Sequence, residues 1–268
     1  MLNVHNVVKI FNRGTINEKI ALDNVSLELL ANDFVTVIGS NGAGKSTLLN
    51  AVAGNFPVDS GEILIEGKEI TRLPAHKRAD FISRVFQDPL SGTAASMTIE
   101  ENLIMALRRG KVRRLCRAIG PQERDIFRVE LEKLGLGLEN RLTHRVSLLS
   151  GGQRQALTLL MATLLQPKLL LLDEHTAALD PKTAAKVLEL TCSVTEQQQL
   201  TTLMITHNLD HALAFGNRTI MMHEGRVILD IKGIERNNMT ISRLLEMFEK
   251  ASGSHMNTDR MILAKFMF

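Results

Sequence analysis

Gly39-Ser40-Asn41-Gly42-Ala43-Gly44-Lys45-Ser46-Thr47 is the stretch on which the fold turns. It fits the pattern G-x-x-x-x-G-K-[ST], in the setting that pattern requires. A short β-branched run, Phe34 to Ile38, stands directly before it, and a helix is expected from Lys45 to about Ala53. A strand, a glycine-rich turn and a helix in that order let successive backbone N–H groups curl around phosphate oxygens. The positive end of the helix points at the same place. Lys45 is then placed to reach the β- and γ-phosphates of ATP, and the Ser46 hydroxyl to ligate Mg²⁺.

Downstream, Leu169-Leu170-Leu171-Leu172-Asp173-Glu174 reads as a buried strand ending in two acids. Parallel sheets place ligand chemistry at such strand ends. Asp173 is the candidate Mg²⁺ ligand, through water, and Glu174 the candidate general base for an attacking water. By themselves, two acids after a strand also describe a solvated turn. The phosphate loop upstream is what gives them a role.

The rest of the chain continues the alternation. Strands are expected at 3–11, 20–30, 61–65 and 81–86, with the polar segment 12–19 between the first two. From about 88 to 148 the pattern turns helical, with helices over 99–109 and 121–134. Ser150 caps a further helix reaching Gln166, where Pro167 stops it. Then come strand 168–173, helix 181–198, strand 202–206, helix 208–215, two strands around Glu224-Gly225 and a helix over 240–251. Such alternation implies an α/β fold with a mostly parallel sheet covered on both faces.

Composition narrows the class. With 268 residues, of which 44% are hydrophobic, one globular unit with a smaller subdomain is the natural size. A net charge of only +3 argues against general nucleic-acid binding, so no nucleic-acid partner is expected. No apolar run approaches the roughly 18 residues needed to cross a bilayer. The first residues lack the basic-then-apolar pattern of a secretory signal. Cys116 and Cys192 lie outside any metal-ligand spacing, and a reduced cytosolic setting is expected. Any link to a membrane would then come through a partner.

One more element makes the pattern specific. Leu149-Ser150-Gly151-Gly152-Gln153 opens a helix between the phosphate loop and the acidic strand. A Ser hydroxyl, two glycine N–H groups and a helix N-terminus form a second candidate anion site. This Ser-Gly-Gly-Gln resembles the signature of ABC ATPases, and the resemblance covers about residues 3–230. It implies a P-loop NTPase (RecA-like) core with an N-terminal antiparallel β subdomain and an inserted α-helical subdomain. The implied segments are 1–87, 88–150 (helical, signature-bearing), 151–251 and a tail, 252–268.

The resemblance also assigns roles. Ser150 to Gln153 would contact the γ-phosphate of ATP held by a second copy, so that ATP joins two chains head to tail. Gln87 matches the family's Q-loop glutamine, which touches Mg²⁺ and senses the partner. Ala178-Leu179-Asp180 matches the loop that crosses between subunits, and His207 the switch histidine at the γ-phosphate. Phe11 best matches the aromatic that stacks on adenine, without the hydroxyl a Tyr would bring. His175 stands where many members have Pro; it either tunes the pKa of Glu174 or is a variant turn.

Within the family, one copy of each motif and no fused membrane span point to a separate motor subunit docking on an integral membrane permease. That would place it peripherally at the cytoplasmic face, paired with a second ATPase subunit as a homodimer and working, indirectly, with a substrate-binding protein. The alternative is a soluble ABC ATPase acting on another macromolecule. The turn Asp173 to Thr183 resembles a branch of bacterial importers linked to amino acids, including aromatic ones. The chain has ten Phe but no Trp and no Tyr, which suits an importer that must be made when those residues are scarce. Arg108 to Arg117 holds six cations in ten residues, either a patch for anionic lipid or an acidic partner, or a solvated helix face. Gly253-Ser254-His255-Met256 in the tail also occurs as a vector scar.

Overall fold

The computed structural model describes residues 1–111 and 118–253. They pack as two compact units, residues 1–78 with those from 200 onward, and residues 79–199. The expected helical segment 88–150 lies wholly inside the second unit.

The first unit begins with β1 (Leu2–Phe11), β2 (Lys19–Leu29), β3 (Phe34–Gly39), α1 (Lys45–Ala53), β4 (Ser60–Ile65), β5 (Lys68–Glu69) and the one-turn α2 (Ala75–Arg78). β1 pairs antiparallel with both β2 and β4, giving the order β2-β1-β4-β5. β2 alternates: Val25, Leu27 and Leu29 are buried while Ser26 and Glu28 are exposed. One face of a period-2 strand is therefore core and the other is solvated.

The second unit contains β6 (Ile82–Val85), α3 (Ile99–Leu107), α4 (Pro121–Glu132), α5 (Gly151–Thr163), β7 (Leu169–Asp173) and α6 (Pro181–Gln197). β6 and β7 run parallel, with Arg84 beside Leu171 and Val85 beside Leu172. The core joins Ile99 and Leu103 of α3, Phe127 and Leu131 of α4, and Leu157 and Leu160 of α5. The chain then returns to the first unit through β8 (Thr201–Ile205), α7 (Leu209–Ala214), β9 (Arg218–His223), β10 (Arg226–Lys232), α8 (Gly233–Asn237) and α9 (Ile241–Ser252). There β3 is parallel to both β8 and β9, and β10 returns antiparallel along β9. Ile38, Met221, Leu244 and Phe248 form the core on one side.

Most expected elements are present, with shifted ends. α5 stops at Thr163 rather than running on to Gln166, whose backbone turns to φ 46. A residue before proline is disfavoured in the helical region, so the stop falls before Pro167 is reached. β5, α2 and α8 were not expected; each is too short to show a period. Ser150 caps α5 as read, and Thr98 caps α3, each in a reciprocal capping box with Gln153 or Glu101.

Of the basic run, 112–117 lie outside the described residues, as do 254–268 of the tail. Arg109 does not face solvent as a patch residue would. It turns inward, donates to Ser83 Oγ at 2.7 Å, and burial lowers its pKa. Among the described residues no helix is long and apolar enough to cross a membrane.

Candidate functional site

The phosphate loop in the first unit is built by backbone geometry. Gly39, Gly42 and Gly44 all have positive φ. At Gly39 a Cβ would lie 2.2 Å from the Met222 carbonyl oxygen of β9, so no other residue fits there. Gly44 caps α1 and the loop closes on itself through Ala43 N–H to Ser40 O at 3.2 Å. The first N–H groups of α1 are left by helix geometry without intrahelical partners. Lys45 is buried, and its Nζ donates to Gly39 O at 2.8 Å and Ser40 O at 2.9 Å. The ammonium is thus parked against the carbonyls of the loop it serves. Ser46 and Thr47 follow on the first turn of α1.

Two further candidates share this unit. Phe11 ends β1 and is 36% exposed, enough to offer ring surface to a base. Phe56 supports it edge-on at 5.4 Å, and the Lys9 ammonium lies 5.5 and 5.3 Å from the two ring centroids. His207 is half-buried in the turn between β8 and α7, where Asn208 caps α7 by accepting from His211 N–H at 3.0 Å.

The acids belong to the second unit. β7 delivers Asp173 at its end, after four leucines that are fully buried. Glu174 follows at φ 45, a left-handed conformation uncommon for a side-chain-bearing residue. Backbone strain of this kind persists where the surroundings fix it. Part of that fixing is His175, whose buried ring meets Thr191 Oγ1 of α6 through Nε2 at 3.1 Å, while Thr191 Oγ1 donates to Val187 O at 2.8 Å. His175 is thus a turn residue packed into the interior. Asp173 has a partner that the motifs did not announce, Arg84 of β6, whose Nη2 donates to Asp173 Oδ2 at 2.5 Å.

Gln87 is exposed, in the bend just after β6. Ser150 accepts at Oγ from Gln153 N–H at 3.3 Å, and Gln153 Oε1 accepts from Ser150 N–H at 3.2 Å. Gly152 has a packing reason beside any ligand role: a Cβ there would lie 2.1 Å from Thr183 Cγ2 of α6. Gly151 beside it is exposed. Asp180 caps α6 by accepting from Thr183 N–H at 3.1 Å, and the bonds from Thr183 hold its carboxyl below the usual range. Burial pushes the Cys192 thiol up to about 11, so it stays protonated and inert.

These residues fit the groups that the sequence calls for. A loop that only glycine can form, with a cation at its mouth, suits a triphosphate. Ser46, Gln87 and Asp173 each carry a side-chain oxygen, the donor type that suits Mg²⁺. Among the described residues there is no cluster of three or more His, Cys, Asp or Glu.

Known proteins agree with this geometry. The family model described as ABC transporter matches residues 22–177. The chain is 46% identical over 251 residues to a tyrosine transport ATP-binding protein of Clostridioides difficile, covering 94% of this chain and 100% of that one. It is 29% identical to an energy-coupling factor transporter ATP-binding protein of Acetivibrio thermocellus, over 91% of this chain and 84% of that one. Among solved structures it resembles a dimeric ATP-binding cassette in a post-hydrolysis state bound to ADP and Pi, at TM-score 0.74 and 29% identity, covering 87% of this chain and 98% of that one. An ABC transporter cassette in its ADP conformation is similar at TM-score 0.75 and 28% identity, covering 92% and 98%. With the family model spanning more than half its length and one relative matched from end to end, the chain belongs to the ABC transporter family, as an ATP-binding and ATP-hydrolysing subunit.

Proposed function

We propose that this chain is the motor of a bacterial amino-acid importer, with tyrosine or tryptophan as the cargo class. The observation that carries the reading is the end-to-end similarity to a tyrosine transport ATP-binding protein. The absence of both Trp and Tyr from a chain with ten Phe supports it. Two copies bind two ATP molecules, each through the phosphate loop Gly39 to Thr47 of one copy and Ser150 to Gln153 of the other. Asp180 lies on the loop that crosses between them, and Phe11 stacks on adenine. The pair works at the cytoplasmic face of the membrane on an integral permease, which a substrate-binding protein supplies. By function the chain divides at 1–87, 88–150, 151–251 and 252–268.

The chemistry follows from the residues. Glu174 takes the proton of the attacking water, and its fixed left-handed backbone limits where that carboxylate can reach. Lys45 moves from its carbonyl partners to the β- and γ-phosphates, and His207 contacts the γ-phosphate. Ser46, Gln87 and Asp173 would hold Mg²⁺, which would supply positive charge at the phosphate oxygens. ATP binds the closed pair better than the open one, so binding shifts the permease between its inward- and outward-open states, and hydrolysis resets it.

Lys45→Ala is expected to weaken ATP binding by roughly 10- to 100-fold, the worth of a charge-assisted contact. Equilibrium binding of a fluorescent ATP analogue measures it, and wild-type affinity would remove Lys45 from the phosphate site. The assembly is tested by capturing the tagged chain with ATP from detergent-solubilised native membranes and identifying its companions by mass spectrometry. An integral permease and its binding protein are expected, with tyrosine or tryptophan uptake lost on deletion of the gene. Recovery of soluble partners alone would favour a non-transport ABC ATPase instead.

A further inference from the structure

Arg84 lies three residues before Gln87 and belongs to none of the motifs. Its Nη2 donates to Asp173 Oδ2 at 2.5 Å, and the two side chains are only 13% and 14% exposed. Register makes the pairing: Arg84 sits beside Leu171 on the parallel neighbour, and Asp173, two positions on, shares the face of Leu171. The guanidinium also lies over the Phe86 ring, 4.7 Å from its centroid. Phe86 is itself tied to α5, because its carbonyl accepts from Gln155 Nε2 at 3.2 Å.

A carboxylate at the end of a fully buried leucine strand is costly unless a positive charge compensates it. In this chain Arg84 is that charge. A divalent cation at Asp173 would supply the same compensation, and two cations at one carboxylate repel each other. We propose that Arg84 is the counter-ion of Asp173 while no divalent cation is bound, and that the two compete for this carboxylate. The inference rests on the reading of Asp173 as the metal's ligand. Arg84 is then a positioning residue that lowers metal affinity at Asp173 with nucleotide bound as well as without it. When the cation arrives, the guanidinium keeps its stacking on Phe86, so its displacement does not leave it stranded. The metal state of Asp173 is thereby felt on β6 and at the root of the Gln87 bend.

The sign of the effect separates this from a merely structural role. An arginine that only braced the site would, when removed, weaken metal binding or leave it unchanged. A competing counter-ion, when removed, strengthens it. The measurement is the affinity for a fluorescent, non-hydrolysable ATP analogue in EDTA and again in saturating Mg²⁺. With Mg²⁺ high enough to saturate the nucleotide but not the nucleotide-free chain, the ratio of the two reports the metal affinity of the nucleotide-bound site against that of the nucleotide in solution. In Arg84→Met that ratio is expected to rise about tenfold, near the low end of what an adjacent arginine does to a carboxylate's affinity for a proton. Arg84→Gln, which keeps a hydrogen-bond donor without the charge, guards against a fold defect in the methionine variant and is expected to rise likewise. A ratio that stays the same or falls in a folded variant overturns the proposal. Asp173→Asn is the control for the reading beneath it. If that change leaves the wild-type ratio intact, the metal is not at Asp173. If it lowers the ratio while the Arg84 variants do not raise it, only the counter-ion role fails.

Discussion

Glu174→Gln is expected to bind ATP as the unaltered chain does and to release phosphate about a hundredfold more slowly, or slower still. The substitution keeps the size and one acceptor oxygen of the side chain but removes its basicity, and a positioned general base contributes roughly 10²–10⁴-fold. The backbone at Glu174 is already held at φ 45, with its carbonyl accepting from Ala177 N–H at 2.9 Å, so the glutamine should occupy the same place. Phosphate release under saturating ATP, beside binding of a fluorescent analogue, separates the two effects. Size-exclusion chromatography with ATP gives a third readout: the slowed chain should accumulate as a dimer. Turnover within a few-fold of normal would remove Glu174 from the role of base, whatever the oligomeric state.

Arg78→Ala is expected to be the most damaging single change to the first unit, although Arg78 touches no candidate site residue. The side chain is almost wholly buried on α2 and spends its guanidinium on main-chain oxygens. Nη1 donates to Ala51 O at 2.7 Å and Val52 O at 2.8 Å, Nη2 to Thr71 O at 2.8 Å, and Nε to Leu73 O at 2.7 Å. Two of those acceptors are carbonyls in the last turn of α1, which carry the negative end of its dipole; Ala51 O also accepts from Gly54 N–H at 3.2 Å. Burial lowers the pKa of the guanidinium, yet arginine remains charged. Truncation would strand several buried acceptors at about 1–3 kcal/mol each before water or relaxation recovers some of the loss. A net cost of roughly 3–5 kcal/mol would lower Tm by about 10 °C for a unit of this size. Because α1 starts at Lys45, ATP affinity should fall with it. Arg78→Lys, one point charge in place of a fork, should lie between the two. Thermal unfolding followed by circular dichroism decides it, and a loss under about 2 °C would show that the four bonds are not what holds α1 in place.

The readings that succeeded from residues alone share a physical character. The phosphate loop could be read because its chemistry is local: glycines that permit positive φ, a lysine and a hydroxyl on the next turn, and strand and helix on either side. Caps at Thr98 and Ser150 were legible for the same reason, since a capping box closes within three residues. The alternation in β2 announced its buried face. The four leucines before Asp173 carry no period, and their place as a strand is settled by pairing with β6 along Ile82 to Val85.

What could not be read are partners brought together across long stretches of chain. Arg84 reaches Asp173 across 89 positions, and Arg78 reaches Ala51 across 27. His175 was legible as a departure from the family's proline, but the Thr191 hydroxyl that α6 places against its ring was not. Gly152 was read as a bare N–H for phosphate, and the side chain of Thr183 pressed against it adds a reason that no spacing contains. The sequence by itself therefore determined the nucleotide chemistry, the family and the order of the elements, because those depend on short-range backbone geometry and side-chain type. Tertiary structure alone decided which charges neutralise one another and which turns are held in strained conformations, because that depends on strand register and helix packing between segments far apart in the chain.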